Sequence, residues 1–153
     1  MEILISDRQN NLKIDALSLK ELAEFTLVFE EVDNLAELSM VFVDEEEIER
    51  LNSQYRGAEE PTDVLSFPLF DKVPQEKTEH LLMLGDVVIC PSVARRNALE
   101  MRRSLEKELN MLLVHGILHL LGYDHIEPKD EILMKMRQKE ILKKFAQSRS
   151  DNK

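Results

Sequence analysis

Ser104-Leu105-Glu106-Lys107-Glu108-Leu109-Asn110-Met111-Leu112-Leu113-Val114-His115-Gly116-Ile117-Leu118-His119-Leu120-Leu121-Gly122 is the stretch that decides the fold. Ser104 suits a helix N-cap, and the helix it opens is expected to run to about Leu121. Glu106, Lys107 and Glu108 keep the first turns polar. Beyond them leucine, valine and isoleucine leave almost no polar face. A helix that is apolar all round belongs in the centre of a domain. The only polar side chains in its final stretch, after Asn110, are His115 and His119.

Around that helix the chain alternates between strand and helix patterns. Glu2 to Ser6 suits a first strand, and Glu37 to Val43 a second, with Leu38, Met40 and Phe42 on one side. Val64 to Phe67 reads as a short third strand stopped by Pro68. Met83 to Cys90, with its Val87-Val88-Ile89 run, reads as an inner fourth. Ser18 with Glu21 forms a capping-box pattern ahead of Leu22, Phe25, Val28, Phe29 and Val32 at helical spacing. Asp44 with Glu47 repeats that pattern before a short helix through Ile48 and Leu51. Pro91 opens a further helix at its first position, and a last helix starts near Pro128, carries Ile132, Leu133, Met136, Ile141 and Leu142, and frays after Phe145. Gln54 to Asp63 and Asp71 to His80 read as loops, with His80 as a surface residue.

A chain of 153 residues fits one domain, 1–153, with a polar tail at 148–153. No run approaches the roughly 20 apolar residues of a membrane span, and the N-terminus has neither the basic start nor the cleavage site of a signal peptide. The single cysteine, Cys90, rules out an internal disulfide and suits a reducing, cytoplasmic setting; it reads as a small buried residue. With 30 acidic against 20 basic residues and a net charge of −10, a broad nucleic-acid-binding face is disfavoured. A local one is still open: Arg95, Arg96, Arg102, Arg103 and Lys107 cluster in sequence, and the blander alternative is a solvated face balancing Glu100, Glu106 and Glu108.

His115 and His119 stand four apart, which puts both imidazoles on one helix face. Gly122 falls where a helix commonly ends in a left-handed residue, and the reversal it allows would bring His125 back toward the other two. The pattern H-x-x-x-H-x-x-G-x-x-H lets a helix supply two metal ligands and the turn behind it a third. Three imidazoles suit zinc, though they accept nickel or copper as well, and they leave a fourth position for water, as catalytic sites do. Asp124 could orient a ligand or cap the turn. Isolated histidines are more often satisfied core residues than ligands. Three of only four in the chain, gathered around one glycine, favour the site. Metalloprotease helices read H-E-x-x-H, with the glutamate as base. Here position 116 is glycine, so that base is absent and peptide hydrolysis by the usual route is disfavoured.

The run His115-Gly116-Ile117-Leu118-His119-Leu120-Leu121-Gly122-Tyr123-Asp124-His125 resembles the signature of the bacterial YbeY family of endoribonucleases, or rRNA maturation factors. Arg56-Gly57 followed by Pro61-Thr62-Asp63-Val64-Leu65-Ser66-Phe67-Pro68 is similar to its second signature, and Leu84-Gly85-Asp86-Val87-Val88-Ile89 to a third. The resemblance spans nearly the whole chain. It implies an α+β fold with a small mixed sheet of about four strands packed with about five helices, the central buried one carrying the metal motif. It implies a zinc-dependent, single-strand-specific endoribonuclease acting at the 3′ end of small-subunit rRNA and in ribosome quality control, with ribosome-associated proteins as partners and neither DNA nor a membrane. His115, His119 and His125 carry over as zinc ligands, with His115 functionally essential, and Arg56 matches the family's functional arginine. From the residues alone, Arg56 reads more readily as a surface ion pair with a nearby glutamate, and the family match reverses that preference. Ser66 stays unassigned, and Asp86 suits a turn. Where family members often place basic residues after Gly57, this chain has Ala58-Glu59-Glu60, so that loop is less positive than usual. Two other functions compete: a metal-dependent hydrolase of another substrate class, and a ribosome-assembly binding factor whose metal is mainly structural.

Overall fold

A computed structural model describes residues 1–70, 81–124 and 127–151. Among these, four strands and five helices follow the order β1 (Glu2–Asp7), α1 (Ala16–Phe29), β2 (Ala36–Phe42), α2 (Glu45–Arg56), β3 (Val64–Pro68), β4 (Leu82–Ile89), α3 (Pro91–Glu100), α4 (Leu105–Leu120) and α5 (Pro128–Asp151). The sheet order is β1-β2-β4-β3. The β1–β2 and β2–β4 pairings are parallel, while β3 runs antiparallel to β4, so the sheet is mixed and the α+β expectation holds. β4 lies inside the sheet, as its apolar run predicts.

Two apolar layers follow from the period-2 alternation of the strands. Leu38, Met40 and Phe42 of β2 and Leu84, Val87 and Ile89 of β4 enter the main core with residues of α1, α4 and α5. Leu65 of β3 and Val88 of β4 face the other way, packed with Ile48 and Val93 of α2 and α3. α4 touches α1, α3, α5, β3 and β4 and is the central helix. Its Leu113, Val114, Ile117 and Leu118 are fully buried, as a helix without a polar face requires.

The helix boundaries depart from the sequence reading in instructive ways. α1 starts before Ser18, because the Asp15 carboxylate accepts the Ser18 N–H at 3.1 Å and is the N-cap. Its inward face is Leu19, Leu22, Ala23 and Leu27, and Val28 points to solvent. The Asp44 cap forms as expected, accepting from Glu47 N at 2.8 Å, but α2 continues through Gln54 to Arg56 before Gly57 ends it. α5 does not fray after Phe145 and runs to Asp151. It buries Met134, Ile141 and Phe145, whereas Ile132, Leu133 and Met136 are exposed. Asp86 lies within β4, opposite Ser39 and Phe67, and serves no turn. His80, with the loop 71–80, lies outside the described residues, as does His125.

Candidate functional site

The C-terminal end of α4 is closed by two backbone hydrogen bonds, from Gly122 N to His119 O (3.1 Å) and from Tyr123 N to Leu118 O (3.0 Å). That pairing is the Schellman arrangement, and it needs a left-handed residue where Gly122 sits with φ 103°. The turn brings the Tyr123 carbonyl back over the helix, 3.0 Å from His119 Nδ1. The other histidine is met from α5: Gln138 Oε1 lies 3.2 Å from His115 Nδ1. An amide oxygen and a carbonyl oxygen only accept, so these two contacts favour the tautomer with the proton on each Nδ1 and the lone pair on each Nε2. Those two Nε2 atoms face each other at 3.1 Å, with the rings at 81°.

Two lone pairs at that distance repel, and a cation shared between them removes the repulsion. The donor set therefore fits a borderline divalent metal, for which neutral imidazole is a standard ligand. The described residues bring together two of the three histidines of the motif; the third, His125, lies outside them. Among the described residues, no group of three or more His, Cys, Asp or Glu side chains is placed to hold a metal ion.

Gly116, between the two histidines, faces the sheet. A Cβ there would lie 2.7 Å from Val87 Cγ1 and 3.2 Å from Ser66 Oγ. The helix packs so closely on β3 and β4 that a glutamate, as in H-E-x-x-H, has no room without displacing them. Ser66 donates its hydroxyl to the Gly116 carbonyl at 3.0 Å and so tethers β3 to α4.

The histidines border a cleft of about 770 Å³ that is also lined by the end of α2 and by the strand β3. Arg56 projects there from the last turn of α2, where a cation is favoured by the helix dipole. Among the described residues it pairs with no carboxylate, so the surface ion pair is not formed. Tyr55 beside it is exposed, and its ring stands edge-on to Phe67 at 4.9 Å. Asp63 also lines the cleft, steadied by Asn97 Nδ2 at 3.2 Å and by Cys90 N on its carbonyl. Asp124 lines it too, next to Tyr123.

The basic cluster of α3 and α4 divides. Arg96 lies 2.6 Å from Glu45, which holds that carboxyl below its ordinary range, and Arg103 lies 3.2 Å from Glu108. Arg95, Arg102 and Lys107 form no ion pair among the described residues. Cys90 is fully buried, and burial pushes its thiol up, away from reactivity. The sequence reading missed Gln138, Tyr123 and Tyr55. Only Tyr123 had a signal, its place in the motif one residue past the helix-ending glycine.

Paired imidazoles at the end of α4 share a cleft with an arginine that pairs with no carboxylate among the described residues, an arrangement that suits a hydrolase. The chain belongs to the endoribonuclease YbeY family, whose model matches residues 4–146. It is 42% identical over 147 residues to the endoribonuclease YbeY of Frankia casuarinae, covering 93% of this chain and 73% of that relative. It is 42% identical over 154 residues to that of Oceanobacillus iheyensis, covering 97% of this chain and all of the relative. The solution structure of TM1509 from Thermotoga maritima is similar over 98% of this chain and 93% of that one, at 32% identity and a TM-score of 0.67. Among the described residues no helix is long and apolar enough to cross a membrane.

Proposed function

We propose that this chain acts, as one domain over 1–153, as a zinc-dependent endoribonuclease specific for single-stranded RNA. In this reading it matures the 3′ end of small-subunit rRNA and serves ribosome quality control in the cytoplasm, alongside ribosome-associated proteins. The observation that carries the metal part is the pair of Nε2 atoms facing each other at 3.1 Å, each ring's Nδ1 committed to an oxygen behind it. His115, His119 and His125 would hold the ion. Bound there, zinc would supply Lewis acidity and a bound water of lowered pKa.

The chain's own residues do the rest. Arg56, at the cleft and without a carboxylate partner among the described residues, forks onto the oxygens of the scissile phosphate and offsets the charge that develops on them. Tyr55 offers an exposed aromatic face beside it, on which an unstacked base can rest, and a duplex has no such base to give. Asp63 is held by Asn97 and keeps its carboxylate at the cleft edge, repelling a misplaced phosphate. The packing of Gly116 on Val87 argues against a peptidase of the H-E-x-x-H kind.

The test incubates the purified protein with single-stranded RNA, double-stranded RNA and casein, with and without a chelator. Chelator-sensitive cleavage of single-stranded RNA alone, lost in His115→Ala, is expected. Chelator-sensitive casein cleavage, or no cleavage by a protein that binds zinc stoichiometrically and unfolds without it, overturns the nuclease reading in favour of its two rivals.

A further inference from the structure

Both imidazoles are fixed from behind, and the two groups that fix them lead back to one residue. Glu30, directly after α1, has a side chain only 5% exposed. Its Oε1 accepts the Tyr123 hydroxyl at 2.6 Å, and its Oε2 accepts Arg137 Nε at 2.7 Å. Tyr123 is the residue whose carbonyl meets His119 Nδ1, and Arg137 precedes Gln138, whose amide oxygen meets His115 Nδ1. Arg137 is further steadied over the Phe29 ring, at 4.7 Å from its centroid. A buried carboxylate is costly unless both oxygens are satisfied, and here both are, by partners from two different segments.

We propose that Gln138 is a positioning residue for His115, and that Glu30 anchors the frame holding Gln138 and the Tyr123 carbonyl in register with the two imidazoles. The inference rests on the metal reading above for its purpose, but not for its geometry. By selecting the Nδ1–H tautomer in each ring, the frame leaves both Nε2 lone pairs turned toward one point. A side chain that failed to accept at Gln138 would let His115 rotate or place its proton on Nε2, where it blocks a ligand position. Outer partners of this kind are worth about 10–100-fold in metal affinity.

Zinc affinity is measured by competition with a chromogenic chelator, and the imidazole tautomers by ¹⁵N NMR on the zinc-free protein. Gln138→Leu is expected to bind zinc about 10–100-fold more weakly and to shift the tautomer balance of His115 and not of His119. Gln138→Glu, which keeps an acceptor in place, restores both. Tyr123→Phe, which keeps the backbone carbonyl but frees it from Glu30, gives a smaller loss seen at His119. Glu30→Gln disturbs both rings, and if that variant fails to fold, Tyr123→Phe carries the test of the anchor. Ile141→Ala, a core cavity in the same helix that does not line the cavity shared by His115 and Gln138, is the control for general loosening. The proposal falls if Gln138→Leu keeps wild-type zinc affinity with His115 still Nδ1–H, or if Ile141→Ala disturbs His115 as much. A wild type that takes up no zinc, yet shows the Nδ1–H tautomer that Gln138→Leu removes, upholds the frame and overturns the metal reading.

Discussion

The two walls of the cleft are built on opposite principles. On the α4 wall each histidine has a bonded partner behind it, and those partners are braced by a buried carboxylate. On the α2 wall Arg56 and Tyr55 stand exposed at a helix end, without an ion pair among the described residues. A metal site gains from rigidity, because ligands already in place lose no rotamer freedom on binding. A flexible polymer substrate is better met by side chains that can follow its backbone. The difference predicts that changes on the α4 wall alter stability and metal affinity, while changes on the α2 wall alter turnover and leave the fold untouched.

Arg56→Ala tests the second half and carries the largest expected effect. Removing one group that stabilises transition-state charge costs about 10²–10³ in rate. The melting temperature is expected to stay within about a degree, since an exposed side chain without partners contributes little to folding. Arg56→Lys is expected to recover only part of the rate, because an ammonium cannot fork onto two oxygens. A drop in melting temperature of several degrees would break the comparison by showing that this wall is structural too.

Gly116→Ala tests the first half. The added Cβ meets a Val87 methyl at 2.7 Å, and valine is stiff about χ1, so the helix or strand must move. A loss of about 1–3 kcal/mol is expected, the usual range for overpacking. It is measured by denaturant unfolding, and Gly116→Ala combined with Val87→Ala should recover part of it. Full stability in the single variant would mean that α4 is less tightly seated on the sheet than the geometry implies.

How much of this was legible beforehand follows from where each signal resides. α4 was readable because its all-round apolar character, its histidine spacing and Gly122 are all properties of one continuous segment. The Asp44 cap was readable for the same reason. α5 was not: Ile132, Leu133 and Met136 look like a core stripe, but they lie outside while Met134, Ile141 and Phe145 turn in. Local spacing cannot say which of two apolar rows a neighbour will cover. Gln138 carried no signal at all, since its role exists only because α5 packs against α4. The glycine at 116 was read as a missing base. Its cause, the close approach of β4, is a contact between residues distant in sequence. Arg56 as a phosphate-binding residue rests on the family resemblance, whereas His125 as a third ligand was readable from the spacing around Gly122 and lies outside the described residues.

The smallest effect concerns a charge that α4 buries away from the cleft. Glu108 is 2% exposed, and its Oε1 lies 3.2 Å from Arg103 Nε without the alignment of a hydrogen bond. Burial raises its pKa above the ordinary 4.5, with Arg103 pulling the other way and Asp63 adding to the rise. The folded state therefore favours the protonated form. Its contribution to stability is fully present below pH 4.5 and is lost as the pH rises through the folded value. Glu108→Gln keeps the shape without the charge, so the variant should be more stable than the wild type near pH 8, by about 1 kcal/mol, the typical cost of one unsatisfied buried oxygen. Near pH 4 the two should converge, because the wild-type carboxyl is then neutral as well. Thermal melts at both pH values decide it: a variant less stable than the wild type at pH 8 would mean that the Arg103 ion pair outweighs the desolvation of Glu108. The tightly held character of the α4 wall would then extend to its buried charge as well as to its histidines.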